Sequence, residues 1–427
     1  MNTIQTLHNR FLECSGVSID TRNIQTDNIF FCLNGQNFNA NQFAKQALEL
    51  GAKYVVVDDP NYFDPSLQSY ILVHNALESL QELAKFHREY TQTPLIALTG
   101  SNGKTTTKEL IQAVMSKKFK TIATIGNLNN HIGVPLTLLR LQKDTEFGII
   151  EMGANHQKEI AFLCDIAKPN YGYITNFGKA HLEGFGGIEG VIRGKSEMYD
   201  YLIKNNKTGI INLDDDIQVE KAKHLKHVSF GFTSPNAQYL FDSNNENEQI
   251  TINYQSHKIS THLSGKYNLP NLAAAITIGL HFGIPIHAIQ SAIEEYIPTN
   301  NRSQWTKFGS NEILMDAYNA NPSSMKVSIE NFASLNKMNK IMILGDMFEL
   351  GEYAKKEHQN ILDLALQTGI KTYFIGNIFY ELQTSTKHFT FFKSFEDFQN
   401  QFNIHTLENQ TLLIKGSRGM ALERIIK

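Results

Sequence analysis

Cysteine is scarce in this sequence. Cys14, Cys32 and Cys164 are the only three in 427 residues and none sits in a CxxC spacing, which excludes a disulfide framework and a cysteine zinc cluster and fits a reducing compartment. Long apolar runs are also missing: no stretch approaches the ~20 residues needed to cross a bilayer. The start, MNTIQTLHNRF, lacks a basic segment followed by an apolar one, so no export signal is expected. Neither sign of charge dominates, with 39 Lys+Arg against 42 Asp+Glu and a formal charge of -3. That balance argues against binding nucleic acid through a broad basic field. There is no convincing internal repeat or low-complexity tract. The expectation is a cytoplasmic, soluble chain without stable membrane insertion, acting as a monomer and meeting anionic ligands at local sites.

At 427 residues the chain exceeds what one core organises, and ~150 residues per domain predicts about three domains. The first ninety or so residues alternate strand-like runs (NIFFCL, KYVVV, SYILV) with helix-like ones (FAKQALEL, ALESLQELAKFHREY) and end in the polar patch TQTP, which sets a boundary at 92/93. The strand PLIALTG then enters a Gly-rich loop, and TTTKELIQAVMSKKF follows with Leu110, Ile111, Val114 and Met115 on one helical face. Between about Lys207 and Leu263 the pieces GIINL, HVSFGF, QITINY and KISTHL predict an antiparallel extension of this central domain. The polar stretch Pro298 to Asn301 sets the second boundary, at 298/299. Beyond it KIMIL, KTYFIG and TLLIKG, spaced by helical lengths, predict a parallel sheet with crossover helices. The fold class is therefore α/β in three domains, 1–92, 93–298 and 299–427.

The loop Gly100-Ser101-Asn102-Gly103-Lys104-Thr105-Thr106 can aim backbone N–H groups at phosphates, with Lys104 as a positive charge and the Thr105 hydroxyl on Mg²⁺. Its first glycine is absent, since Leu98 stands where GxxxxGK[ST] would begin. A plain glycine turn is the alternative, but the strand before it and the helix after it favour a nucleotide. Two further apolar runs end in candidate metal ligands, FGII at Glu151 and YGYIT in the loop containing His181. As parallel strands they would leave the same sheet edge as Lys104, where open α/β sheets bind ligands; a solvated glutamate and a loop histidine are the alternative. In GVIRGKSEMYDYLI, Lys195 falls on the face of Val191, Ile192, Met198, Tyr199 and Leu202. A snorkelling lysine is the ordinary explanation. A desolvated amine that reacts with CO₂ to give a carbamate, a carboxylate-like metal ligand, is the sharper one. Asn268 and Asn271 start a helix, as caps or as amides reading an adenine edge. In the last domain Asp316 precedes Asn319, Asn321 and Pro322, a turn pattern, and Arg418 at a helix N-terminus could clamp a carboxylate.

Taken in order, these segments resemble the Mur ligases, the ATP-dependent amino-acid ligases of peptidoglycan precursor synthesis, over essentially the whole chain. TGSNGKTT is similar to the family's shortened phosphate loop, and ITNFGKAHLEGFGG, GKSE, YNLPNLAAA and the Arg302 region follow in the family's order. DAYNANPSSM, LGDMFELGE and LIKGSRGM are similar to the type that adds D-alanyl-D-alanine to UDP-N-acetylmuramoyl-tripeptide, and the DNPR motif of a close relative is absent. The resemblance implies catalytic roles for Lys104, His181, Lys195 and Asp316, with Glu151 and His181 on Mg²⁺ and Lys195, as a carbamate, supporting a second Mg²⁺. It implies ATP contacts from Asn268, Asn271, Arg302 and Asp316, the last two reaching across a cleft that closes. Ser18, Asp20, Thr21, Arg22 and Asn34 look like the part that holds the UDP-sugar, although NANQF at Asn39 to Phe43 departs from the family's DGHxF. Asn129 and Asn130 fall in a loop bordering the growing peptide, and Asn319, Asn321 and Arg418 near the incoming dipeptide. The same chemistry with another acceptor, as in folylpolyglutamate synthesis or a different Mur step, is the enzyme alternative. A nucleotide-dependent switch is the non-enzyme one, disfavoured by the lack of an NKxD signature.

Overall fold

The computed structural model describes residues 3–244, 249–298 and 302–426. By Cα packing they fall into two compact units: residues 1–98, 118–153 and 159–172, and residues 99–117, 154–158 and 173–427.

Four short strands open the chain, β1 (Gly16–Ser18), β2 (Asn28–Phe31), β3 (Tyr54–Val57) and β4 (Tyr70–Leu72), all parallel and in sequential order. The runs of β2 and β3 are almost wholly buried, as in strands covered on both faces. On one face Phe30, Val55 and Val57 pack against Ala40, Ala44 and Ala47, the last two from the helix Ala44–Glu49. The helix Ala76–Thr91 starts at Asn75, whose side chain accepts the Glu78 N–H.

The second sheet contains β5 (Leu95–Thr99), β6 (Thr121–Ala123), β7 (Phe147–Glu151), β8 (Tyr171–Ile174), β9 (Thr208–Asn212), β10 (His227–Gly231) and β11 (Tyr239–Leu240), in the order β11-β10-β9-β8-β5-β7-β6. The chain moves to one side of β5 for β6 and β7 and to the other for β8 onward, so β5 stands at the reversal, and parallel sheets bind ligands at the carboxyl end of such a point. β5 pairs β7 with Leu98 opposite Glu151. GIINL and HVSFGF lie in β9 and β10, which pair in parallel. The antiparallel extension is therefore shorter than the β-rich composition predicts. It consists of β12 (Asp242–Asn244), β13 (Gln249–Tyr254) and β14 (His257–Ser264). The helix Asp216–Lys221 supplies the crossover that a parallel β9–β10 pair requires.

The last sheet holds β15 (Gln304–Phe308), β16 (Asn311–Asp316), β17 (Lys340–Gly345), β18 (Lys371–Ile375), β19 (Phe389–Phe392) and β20 (Thr411–Lys415), ordered β15-β16-β20-β17-β18-β19. Every pair is parallel except β15 with β16. One face buries Ile313, Ile341, Ile343, Leu412 and Ile414 with Phe392, Phe395 and Phe398. The polar turn expected at the second boundary reaches residues 299–301, which lie outside the described residues. Among the described residues no helix is long and apolar enough to cross a membrane.

Candidate active site

The strand, glycine loop and helix expected around Gly100 are present: β5 ends at Thr99 and, after four loop residues, the helix Lys104–Met115 begins. Gly100 and Gly103 have φ of 140° and 81°, values that an L side chain avoids. A Cβ on Gly100 would lie 2.0 Å from Thr175 Oγ1, and one on Gly103 would lie 2.7 Å from Asn271 Oδ1. The loop is tied to the segment after β8. Ser101 N–H donates to Asn176 O (3.1 Å), Asn102 N–H to Asn176 Oδ1 (3.1 Å), Thr175 Oγ1 to Asn102 O (2.6 Å) and Ser101 Oγ to Gly178 O (2.6 Å). Lys104 Nζ turns back onto Gly100 O at 2.7 Å. Thr105 and Thr106 lie buried in the first helical turn, where the leading N–H groups have no intrahelical acceptor and the dipole favours an anion.

Asn268 and Asn271 are buried behind this loop. Asn271 Nδ2 donates to Asn268 Oδ1 (2.9 Å), Asn268 Nδ2 to Ser264 O (2.8 Å), and Thr107 Oγ1 to Asn271 Oδ1 (3.0 Å). Neither side chain caps the helix Leu269–His281, although Asn268 occupies the cap position. Their amides link Ser264 to the phosphate-loop helix.

Glu151 closes β7 almost fully buried. Its Oε1 accepts from Asn129 Nδ2 at 2.8 Å, while Oε2 is buried with no hydrogen-bond partner. An orphaned carboxylate oxygen is costly, and a hard cation is the partner that suits it. Asn130 Oδ1 accepts the N–H groups of Ile132 and Gly133, so it shapes this loop. His181 has φ 54°, and its Nδ1–H donates to Glu349 Oε2. In the neutral ring this hydrogen bond makes Nε2 the lone-pair nitrogen, the form in which imidazole binds a metal. No cluster of three or more His, Cys, Asp or Glu ligands occurs among the described residues. Mg²⁺ commonly takes one or two carboxylates and completes its shell with phosphates and water, and the orphaned Glu151 oxygen suits that pattern.

Lys195 lies in the helix Ile188–Lys204 and is 0% exposed, so its ammonium does not snorkel to water. Nζ donates to Ala154 O at 3.1 Å and stands 5.1 Å from the centre of the Phe185 ring. The helix buries Val191, Met198, Tyr199 and Leu202 of its apolar stripe, and the amine is enclosed with them.

In the third domain Asp316 ends β16. Its Oδ2 accepts from Lys415 Nζ (2.6 Å) and Ser328 Oγ (3.2 Å), and Oδ1 from Ser303 N–H (3.2 Å). Asn321 is no simple turn residue: it caps the helix Pro322–Ser334 in a reciprocal box with Ser324, and its Nδ2 donates to Asn102 Oδ1 at 2.7 Å. Asn319 Oδ1 accepts the Ala320 N–H. The Arg302 guanidinium stacks on Tyr318 at 3.7 Å, with its Nε buried and unpaired. Arg418 approaches the same ring at 5.8 Å and pairs with Glu423 at 2.9 Å. It opens the 3-10 turn Arg418–Met420, shorter than the helix predicted there. Ser323 and Glu357 hold Lys179, accepting its backbone N–H at 2.8 Å and its Nζ at 2.6 Å.

In the first unit, Ser18 Oγ donates to Asp20 O (2.9 Å), and Arg22, largely exposed just after Thr21, forks onto the Asp20 carboxylate at 2.9 and 2.7 Å. Two arginine hydrogen bonds and the Arg22 N–H hold Asp20 down at about pKa 2. Asn34 joins a polar knot. Its Nδ2 donates to Asp58 Oδ1 (2.9 Å), and its Oδ1 accepts the Ala40 N–H (2.9 Å). Asn41, fully buried, also donates to Asp58 Oδ1, at 2.8 Å. The departing NANQF segment thus has a structural use of its own.

Sequence reasoning missed Lys415, Glu349, Tyr318 and Ser323. All four stand inside segments whose motif character was visible, but their partners are distant in sequence.

Three family models match the chain: the Mur ligase family catalytic domain at residues 13–88, the Mur ligase middle domain at 98–279 and the Mur ligase glutamate ligase domain at 301–418. The chain belongs to the Mur ligase family. Among its relatives, the UDP-N-acetylmuramoyl-tripeptide–D-alanyl-D-alanine ligase of Bacillus subtilis is 33% identical over 96% of this chain and 92% of its own length. The Escherichia coli ligase of the same name is 31% identical over 96% and 92%. This Mur ligase also superposes on a crystal structure of MurF from Acinetobacter baumannii with a TM-score of 0.86 at 27% identity, covering 99% of this chain and 97% of that one.

Proposed function

We infer that this Mur ligase joins D-alanyl-D-alanine to UDP-N-acetylmuramoyl-tripeptide, consuming ATP through an acyl phosphate, as a step of peptidoglycan precursor synthesis. Relatives that carry this activity in their names match it from end to end. The observation that carries the reading is the Asn321 to Asn102 hydrogen bond: the DAYNANP segment of the third domain sits on the phosphate loop, a contact that a simple nucleotide switch would not need. Domains 1–92, 93–298 and 299–427 then hold the UDP-sugar peptide, the ATP and the dipeptide.

The reaction begins when a tripeptide carboxylate oxygen attacks the γ-phosphorus of ATP, giving the acyl phosphate and ADP. N–H groups of the first helical turn and Lys104, released from Gly100 O, offset the charge on the phosphates. Mg²⁺, when bound, would add charge neutralisation there, held by Thr105, Glu151 and His181, with carbamylated Lys195 supporting a second ion. Asp316, kept in place by Lys415, and Arg302, stacked on Tyr318, serve ATP together with Asn268 and Asn271. Ser18, Thr21, Arg22 and Asn34 serve the UDP-sugar, Asn129 and Asn130 the peptide, and Asn319, Asn321 and Arg418 the dipeptide. The dipeptide amine then attacks the acyl carbon, loses its proton, and phosphate departs. Holding both partners in one enclosed site supplies much of the rate.

Pairwise omission tests this. Phosphate release is expected only with ATP, the muramoyl-tripeptide and D-alanyl-D-alanine together, and Lys104→Ala is expected to abolish it. Release supported equally by a single amino acid in place of the dipeptide would overturn the assignment.

A further inference from the structure

The loop after β17 carries LGDMFELGE, a motif to which none of the roles above is assigned. Its backbone is held at successive residues. Asp346 N–H donates to Ile375 O (3.0 Å), Met347 N–H to His358 Nε2 (3.0 Å) and Phe348 N–H to Ser417 Oγ (2.9 Å). The buried Asp346 carboxylate accepts the N–H groups of Ile378 and Phe379 at 2.9 and 3.0 Å. His358 Nδ1–H donates to Ala354 O at 2.7 Å, so its Nε2 is an acceptor and the ring is neutral, consistent with burial pushing its pKa down. What this scaffold presents is Glu349, at φ 61° and with half its side chain exposed. Glu349 meets the segment His181 to Glu183 at two points: the carboxylate takes the His181 Nδ1–H, and the backbone carbonyl takes the Glu183 N–H at 3.2 Å. Both loops reach this meeting through a non-glycine residue in the left-handed region, a conformation that persists only where surroundings impose it.

We propose that Glu349 is a positioning residue for His181: the third domain supplies the carboxylate that fixes the imidazole as its Nδ1–H tautomer, aims Nε2 at the reacting phosphates, and does so only while that domain is docked. An imidazole has two neutral tautomers, and the partner of one nitrogen decides which nitrogen keeps the lone pair. Such carboxylate–imidazole pairs orient metal-binding histidines. Docking of the third domain and completion of the site become one event. The proposal rests on His181 facing the phosphates and is tested apart from that reading.

The first readout is the ¹⁵N spectrum of histidine-labelled, nucleotide-free enzyme, with the His181 signals assigned by their loss in His181→Gln. The wild type is expected to show His181 with Nδ1 protonated. Glu349→Ala should give a mixture of tautomers, whereas Glu349→Gln, whose amide oxygen still accepts, should retain the Nδ1–H form. Turnover should follow: a loss of about 10- to 100-fold for Glu349→Ala, a few-fold for Glu349→Gln, and little change in KM for the dipeptide. An unchanged tautomer in Glu349→Ala would overturn the proposal. So would Glu349→Gln failing as badly as Glu349→Ala, because the charge and not the hydrogen bond would then matter. Mn²⁺ binding to His181→Gln tests the other reading: unchanged affinity removes His181 from the metal and leaves the tautomer result standing. Unaltered melting temperatures in both Glu349 variants show that the fold is intact.

Discussion

Lys195 stands in an environment that departs from the ordinary expectation for its type. A lysine on an apolar helical face usually threads its ammonium to water, yet here the amine is wholly enclosed, with Ala154 O and the Phe185 ring beside it. Burial of an ammonium costs several kcal/mol unless it is compensated. Lys195→Met, of similar length and apolar, is expected to fold, while turnover drops at least about 100-fold and bicarbonate no longer affects it. Thermal melts and phosphate release, with and without added bicarbonate, check this; wild-type turnover would remove Lys195 from the chemistry. Glu349 allows a second test at this scale. A non-glycine residue in the left-handed region costs roughly 1 kcal/mol, so Glu349→Gly is expected to be as stable as the wild type or slightly more so, yet slower. A melt in parallel with a turnover assay reads both. The strain was invisible in the sequence, because ELGE offers no turn signal at the glutamate itself.

Among the elements, the helix Pro322–Ser334 joins stability to function at one residue. Asn321 caps it and also reaches Asn102. Asn321→Ala is expected to lose about 1 kcal/mol of stability and to raise KM for ATP. Asn321→Ser retains a capping oxygen but is too short to span to Asn102, so it should keep the stability and still raise that KM several-fold. Chemical denaturation and ATP titration separate the two effects; if Asn321→Ser binds ATP normally, the contact has no catalytic weight. Element identity was largely legible: the quoted runs KIMIL, KTYFIG and TLLIKG are the parallel strands β17, β18 and β20. Partnership was less so. GIINL and HVSFGF alternate no differently from antiparallel strands, and only the crossover between them decides that they extend the parallel sheet. At Arg418 the glycines of GSRGM permit a 3-10 turn where a strand-to-helix junction was expected.

For the molecule as a whole, pH acts through a buried pair in the first unit. His87 Nε2–H donates to Leu141 O at 2.9 Å, so His87 Nδ1 accepts from His8 Nε2–H at 3.0 Å, among the rings of Phe11, Phe86 and Tyr90. Both imidazoles are neutral, with burial lowering both pKa values, that of His8 to about 4. A folded value below the unfolded ~6.5 means that the unfolded chain binds more protons between the two, so stability is full above about pH 6.5 and falls toward pH 4. The expected loss is on the order of 1–2 kcal/mol, and His8→Gln should flatten this part of a melting-temperature curve measured from pH 7 to 4.5. A slope as steep as the wild type's would show that the pair does not carry it. The strand, glycine loop and helix at Gly100, and the order of the motifs along the chain, were set by the sequence alone, because each depends on residues within a few positions of one another. Which loops meet was decided only by the tertiary structure. Asn102 and Asn321 are 219 residues apart, His181 and Glu349 168, Asp316 and Lys415 99, and such pairs are brought together by strand order and domain docking, which no local pattern encodes.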